Sequence, residues 1–320
     1  MIKLRIDLPE LFFQGETRKG YFVSSEMKKV WAIQLDLLNK LLDVCERYKL
    51  KIWADGGTLL GTVREHGYIP WDDDIDMAML RPDYDKLISV ASKEFRHPFF
   101  FQYGNTEKVW PFGHSQLRMD GTTAILKGGK FLPTKIHQGI FIDIFPYDAE
   151  PDDYYEYKKL VDERGKIFVL MERAAEFDLF HPFRGIKYIK YRKSFKQLYQ
   201  SYEDLFRKYR MEDNSNVSCL AFIIDKDKFS RNKHWYDGTV YMPFESVLMP
   251  IPIGYDEILK KQYGNYMIPL KDPSYHGDFW VLDPEKSYKE YLIKYKKNLI
   301  VVIFKGLLDR ALAKFKMRSM

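Results

Sequence analysis

Apolar positions recur at three- and four-residue spacing over Met27, Val30, Trp31, Leu38, Leu41, Cys45 and Tyr48, with Gln34 as the polar exception. That period predicts an amphipathic helix from Ser24 or Ser25, either of which can cap it, to about Tyr48. A short apolar run (Leu50, Ile52, Trp53, Ala54) follows as a strand and leads into Gly56-Gly57-Thr58. Next come a helix-like segment, a loop closed by Pro70, and a strand bearing Asp74-x-Asp76. Arg81-Pro82-Asp83 opens a helix to about Phe95, with Pro82 in its first turn. Strands are predicted at Phe99 to Tyr103, Ser115 to Met119 and Thr122 to Leu126. Asp120-Gly121 signals a hairpin between the last two. Ile140 to Phe145 is apolar apart from Asp143 and reads as a central strand covered on both faces. Residues 151 to 210 have helical spacing with a break near His181-Pro182, and read as a helical insertion. Further strands fall near Cys219 to Ile224 and Ser246 to Ile251, then a short helix from Tyr255 to Tyr263 ended by Gly264. The pattern is α/β (α+β), a mixed sheet flanked by helices.

Composition narrows the class. The 320 residues suffice for one large domain or two small ones with a sizeable core. Hydrophobic content of 46% and aromatic content of 16% exclude a disordered chain. The net charge of +6 suits anionic substrates or an anionic membrane, and does not by itself indicate nucleic acid. Cys45 and Cys219 give no zinc-ligand spacing and point to a reducing compartment; Cys45 lies on the apolar helix face and reads as core. No apolar run reaches the roughly 20 residues of a membrane span, and the N-terminus has no signal-peptide core. The expected location is cytoplasmic. From Pro284, Leu292, Leu299, Val302, Ile303, Leu307 and Phe315 alternate with Lys294, Lys296, Lys297, Lys305, Arg310, Lys314, Lys316 and Arg318. This is the pattern of a basic amphipathic helix, either peripheral on the inner face of a membrane or packed on the domain.

The chemistry concentrates between Trp53 and Leu80. Alternation in a strand puts Asp74 and Asp76 on one face; Asp72 joins them if the strand starts early, and Asp73 does not. Two such carboxylates repel each other and call for a hard divalent cation, Mg²⁺ or alternatively Mn²⁺. The Gly56-Gly57 turn lets backbone N–H groups approach a phosphate, and Thr58 is placed to cap the following helix at its positive end. An EF-hand register fails, because it needs Gly where Met77 stands. Asp143, alone in an apolar strand, is costly to bury without a compensating cation. It reads as a third acidic group, or as a base for an attacking hydroxyl.

The stretch GGTLLGTVREHGYIPWDDDID resembles the signature of the LicD family of phosphocholine transferases, which includes the fukutin-related proteins. HQGIFIDIFPYD, with Asp143, is similar to that family's second block, and FESVLMPIPIGYDEILKKQYGNYM to its closing block; His276 is the family-like histidine of this end. The resemblance, which covers roughly residues 25 to 280, implies a nucleotidyltransferase-like fold for the domain 1–283; the insertion at about 151–210 and the basic helix at 284–320 are read from their own spacing. It implies catalytic Asp74, Asp76 and Asp143, a metal on these with Asp72, and donor phosphates on Gly56, Gly57, Thr58, Arg64 and Arg118. The reaction it implies moves phosphocholine, or a related phospho-alcohol, from a CDP-alcohol to a hydroxyl of a lipid-linked or surface glycan, with no nucleic-acid partner. Attack on an α-phosphate, as in nucleotidyl transfer, and a non-catalytic metal- or glycan-binding role are the alternatives. A choline-like group would want an aromatic cage, for which Tyr154, Tyr155, Tyr157, Phe168 and Phe177 are candidates alongside their ordinary role as core.

Overall fold

The structure, a computed structural model, describes residues 3–107, 110, 112–126, 136–175, 195–222, 226–269 and 279–293. A short hairpin of β1 (Glu16–Arg18) and β2 (Tyr21–Val23) precedes helix α1 (Ser25–Tyr48). The Ser24 hydroxyl accepts from the Met27 N–H and caps that helix, one of the two caps the sequence offers. Yet α1 is buried on more than one face: Ala32, Ile33, Leu35 and Leu37 are as inaccessible as Trp31 and Leu38. It is a central helix, with sheet on one side.

Strand β3 (Trp53–Ala54) runs into helix α2 (Gly56–Glu65), and β4 (Asp76–Leu80) runs into α3 (Arg81–Glu94). Strands β5 (Phe99–Gln102), β6 (Ser115–Met119), β7 (Thr123–Leu126) and β8 (Phe141–Glu150) follow. Helices α4 (Tyr154–Ala175) and α5 (Phe195–Arg207) come next, then β9 (Asn216–Ser218) and β10 (Arg231–Asn232). The chain continues through the β11 (Thr239–Phe244) and β12 (Val247–Pro252) hairpin, α6 (Tyr255–Tyr263) and β13 (Phe279–Asp283).

The main sheet is mixed. Strand β8 is its long central member, parallel to β4 and antiparallel to β6 and β9; β3 pairs antiparallel with β4, and β5 with β6. Its apolar side chains, Ile142 and Ile144 among them, join Met77, Met79, Leu117, Trp53 and the α1 residues in one core. Burying each such side chain contributes about 1.5–3 kcal/mol.

Two expectations change. Asp120-Gly121 does form a turn, with Gly121 at φ +77, but β6 and β7 do not pair: β6 joins the main sheet and β7 pairs with β13. The strand expected over Cys219 to Ile224 lies earlier, as β9, where Val217 faces Ala149 of β8. In the insertion, α4 and α5 form a second core around Met171, Phe195, Tyr199, Tyr202 and Phe206. Tyr157 is buried and Phe168 packs on this core, whereas Tyr154 and Tyr155 are exposed. The His181-Pro182 break, Phe177, His276 and residues 294–320 lie outside the described residues. Residues up to 293 do pack back: Tyr288 and Leu292 bury against Ile125 of β7.

Candidate active site

The site is built where four segments meet. Strand β3 ends at Asp55, which precedes the first turn of α2, and the Asp55 N–H bonds the Asp76 carbonyl at 2.9 Å. Gly56 sits at φ +51, a left-handed conformation that favours glycine. A Cβ on Gly56 would lie 3.2 Å from Asp76 Oδ2, and one on Gly57 would lie 2.8 Å from Asp72 Oδ2. The two glycines therefore let the positive N-terminus of α2 press onto two carboxylates. Thr58 does not cap this helix. It occupies the third helical position, and its buried hydroxyl accepts the Asp76 N–H at 2.9 Å.

Strand β4 begins at Asp76, so Asp74 precedes the strand. The same-face argument for Asp74 and Asp76 does not apply, and the exclusion of Asp73 falls with it. One carboxylate oxygen from each of Asp72, Asp73 and Asp74 lies within 4.8 Å of the others. The loop is shaped from behind by α1: Trp31 Nε1 donates to the Asp72 carbonyl at 3.0 Å and Gln34 Nε2 to the Asp73 carbonyl at 2.7 Å. Gln34, the polar exception on the apolar face, thus holds the acidic loop, and its own Oε1 accepts from the Tyr68 hydroxyl.

Register brings in the third carboxylate. Asp76 of β4 stands opposite Asp143 of β8, and Asp143 stands opposite Gln116 of β6. Asp143 Oδ1 accepts from Gln116 Nε2 at 2.7 Å and lies 2.9 Å from His114 Nε2. Among the described residues, neither Asp74 nor Asp76 is in an ion pair, and burial raises both carboxyl groups well above the ordinary carboxylate range. For Asp74 the neighbouring charges of Asp76, Asp72, Asp73 and Asp143 add to this, and for Asp76 those of Asp143, Asp55, Asp72 and Asp73. Such a concentration of oxygen donors fits a hard divalent cation and suits nothing softer.

The two arginines expected to add charge are placed otherwise. Arg64 lies about 12 Å along α2 from Gly56, bonding Glu65 at 2.7 Å and the Tyr266 carbonyl at 3.0 Å. Arg118 is buried and donates to Gln102, Gln116 and the Gly139 carbonyl, not outward to a phosphate site. Burial lowers its pKa to about 10, which leaves it charged at neutral pH.

The sequence reasoning missed Asp55, Asp73, His114 and Gln116. Asp55 is spoken for: Tyr147 donates to its Oδ2 at 2.5 Å and Arg231 to its Oδ1 at 2.7 Å. The spacing of His114, Gln116 and Arg118, at and just before β6, is visible in the chain; that β6 lies against Asp143 is not, because strand register is a long-range property.

Residues 49–174 match the family described as LicD/FKTN/FKRP, nucleotidyltransferase domain, a span that holds every carboxylate above. The chain is similar to Lipopolysaccharide cholinephosphotransferase LicD of Haemophilus influenzae (strain ATCC 51907 / DSM 11121 / KW20 / Rd). The two are 25% identical over 240 residues, 73% of this chain and 88% of that protein. A shorter likeness, 38% identity over 91 residues, covers 28% of this chain and 31% of Uncharacterized protein RP689 of Rickettsia prowazekii (strain Madrid E). The Gly-Gly turn, the Asp-x-Asp segment and the strand bearing Asp143 all lie inside the span that matches the LicD-family nucleotidyltransferase domain.

Proposed function

We propose that this protein transfers phosphocholine, or a closely related phospho-alcohol, from a CDP-activated donor to a hydroxyl of a surface glycan in a metal-dependent reaction. The observation that carries the proposal is the unneutralised group of Asp74 and Asp76, with Asp76 in register with Asp143 and the N-terminus of α2 against it. The lipopolysaccharide named for the Haemophilus relative supports a glycan acceptor.

Asp74, Asp76 and Asp143, with Asp72 and Asp73, would hold Mg²⁺ or Mn²⁺. When bound, such a cation neutralises a diphosphate and stabilises CMP as leaving group. The chain's own contribution is placement. The first turn of α2 offers backbone N–H groups and a positive dipole to a phosphate, with Gly56 and Gly57 leaving room for its approach. Asp143, with Oδ1 engaged by His114 and Gln116, keeps Oδ2 for the cation or for the proton of the acceptor hydroxyl. No described helix is long and apolar enough to cross a membrane. The basic segment from residue 294 to 320, read from its sequence, is our proposal for contact with an anionic lipid surface beside a lipid-linked acceptor.

The test is CMP release from CDP-choline, CDP-ethanolamine and CDP-ribitol with Mg²⁺, with and without EDTA. Metal-dependent CMP from one donor with a glycan acceptor present is the expected result. Pyrophosphate release from a nucleoside triphosphate, with no CMP from any CDP-alcohol, would replace the proposal with nucleotidyl transfer.

A further inference from the structure

Strand β6 carries a polar network that the proposed reaction does not touch directly. Gln116 and Arg118 are two residues apart, leave the same face of the strand, and are both buried. Arg118 donates through Nε to Gln102 Oε1, through Nη2 to Gln116 Oε1 and through Nη1 to the Gly139 carbonyl at 2.7 Å. Its guanidinium also lies 4.5 Å from the Phe141 ring centroid. Burying an arginine this deeply is costly unless its donors are used, and here all three directions find acceptors.

The consequence lies in the two glutamines. A glutamine amide presents an accepting oxygen at one end and a donating nitrogen at the other, whereas a guanidinium only donates. Arg118 therefore fixes which end of each amide faces it. Gln102 must turn its nitrogen away, and it donates to Glu107 Oε1 at 2.8 Å and the His137 carbonyl at 3.1 Å. Gln116 must likewise turn its nitrogen toward Asp143. With that amide reversed, an oxygen would face the Asp143 carboxylate and the contact would become repulsive. His114 Nε2 meets the same Oδ1 from a second direction.

We propose that Arg118 is a positioning residue: by locking the Gln116 amide it holds Asp143 Oδ1, so that Asp143 presents Oδ2 to the cation of the active site. This rests on the metal-dependent reading above. Groups hydrogen-bonded to a metal ligand typically alter metal affinity about 10- to 100-fold, and residues acting in series are not additive.

The experiment is Mn²⁺ titration of the full chain by electron paramagnetic resonance, on wild type, Gln116→Met, Arg118→Met and the double variant, each confirmed folded by its melting curve. Each single substitution is expected to weaken Mn²⁺ binding by about tenfold or more, and the double variant to bind no more weakly than the worse single. Wild-type affinity in folded Arg118→Met, or losses that multiply in the double variant, would overturn the proposal. Should Arg118→Met fail to fold, Gln116→Met alone decides: it keeps the Gln102 and Gly139 contacts of Arg118, and undiminished Mn²⁺ affinity there overturns the role. Absence of Mn²⁺ binding in wild type would instead refute the metal reading, and this proposal with it.

Discussion

One group of carboxylates gathers around Asp143 of strand β8 and another around Asp148. At the second, every buried carboxylate has an arginine. Arg81 Nε and Nη2 grip Asp148 Oδ1 and Oδ2 at 2.6 and 2.8 Å, Arg81 Nη1 reaches Glu203 of α5 at 2.9 Å, and Arg207 meets Glu203 at 3.1 Å. At the first, Asp74 and Asp76 have no such partner among the described residues, and their mutual repulsion stands. The charges at Asp148 are internally neutralised and pin the helical insertion to the sheet. Asp74 and Asp76 are left for something from outside. Acidity is common to both; the counter-charge separates structure from function.

The largest effect on folding should come from the neutralised group. Arg81→Met strands Asp148 and Glu203, and removing one partner of a buried pair costs about 3–5 kcal/mol. Denaturant unfolding checks this; a loss below about 1 kcal/mol would show that the two groups are energetically alike.

The second prediction concerns pH. Burial and like charge raise the folded-state pKa of Asp74 and Asp76 above the ordinary 3.8. The stability tied to this shift is complete below about 3.8 and is lost as pH rises through the raised values. Metal-free protein should therefore melt higher at pH 5 than at pH 7.5, and Mg²⁺ should reduce that difference by favouring the ionised carboxylates. A melting temperature that falls on acidification in EDTA would contradict the account. The Asp148 group, already compensated, should not respond to Mg²⁺.

The smallest effect is expected at Thr58. Thr58→Val removes the hydroxyl that accepts the Asp76 N–H, at a cost of about 1 kcal/mol. Its melting curve should shift far less than that of Arg81→Met.

Much of this was legible in the chain. The cap at Ser24, the helix ended by Gly264 and the isolated Asp143 in an apolar strand follow from local chemistry, and the structure places them there. What failed depended on where a strand starts and what it pairs with. Because β4 begins at Asp76 and not before, the alternation argument counted Asp74 for the wrong reason and discarded Asp73. Arg118 is expected at a donor phosphate because a sequence shows its charge but not its acceptors; Gln102 and Gly139 come from other segments. Glycine-turn geometry is local and was readable, while register and the pairing of buried charges are not.

The central claim is that the unneutralised carboxylates run the reaction while the neutralised ones hold the fold. Mg²⁺-dependent CMP release from the CDP-alcohol the wild type uses tests it, with Asp76→Asn and Arg81→Met compared at a temperature where both are folded. The account predicts that Asp76→Asn loses turnover by about a hundred- to a thousandfold, the scale of a group stabilising transition-state charge, while Arg81→Met keeps most of it. Turnover that survives in Asp76→Asn, or is lost equally in folded Arg81→Met, would contradict it.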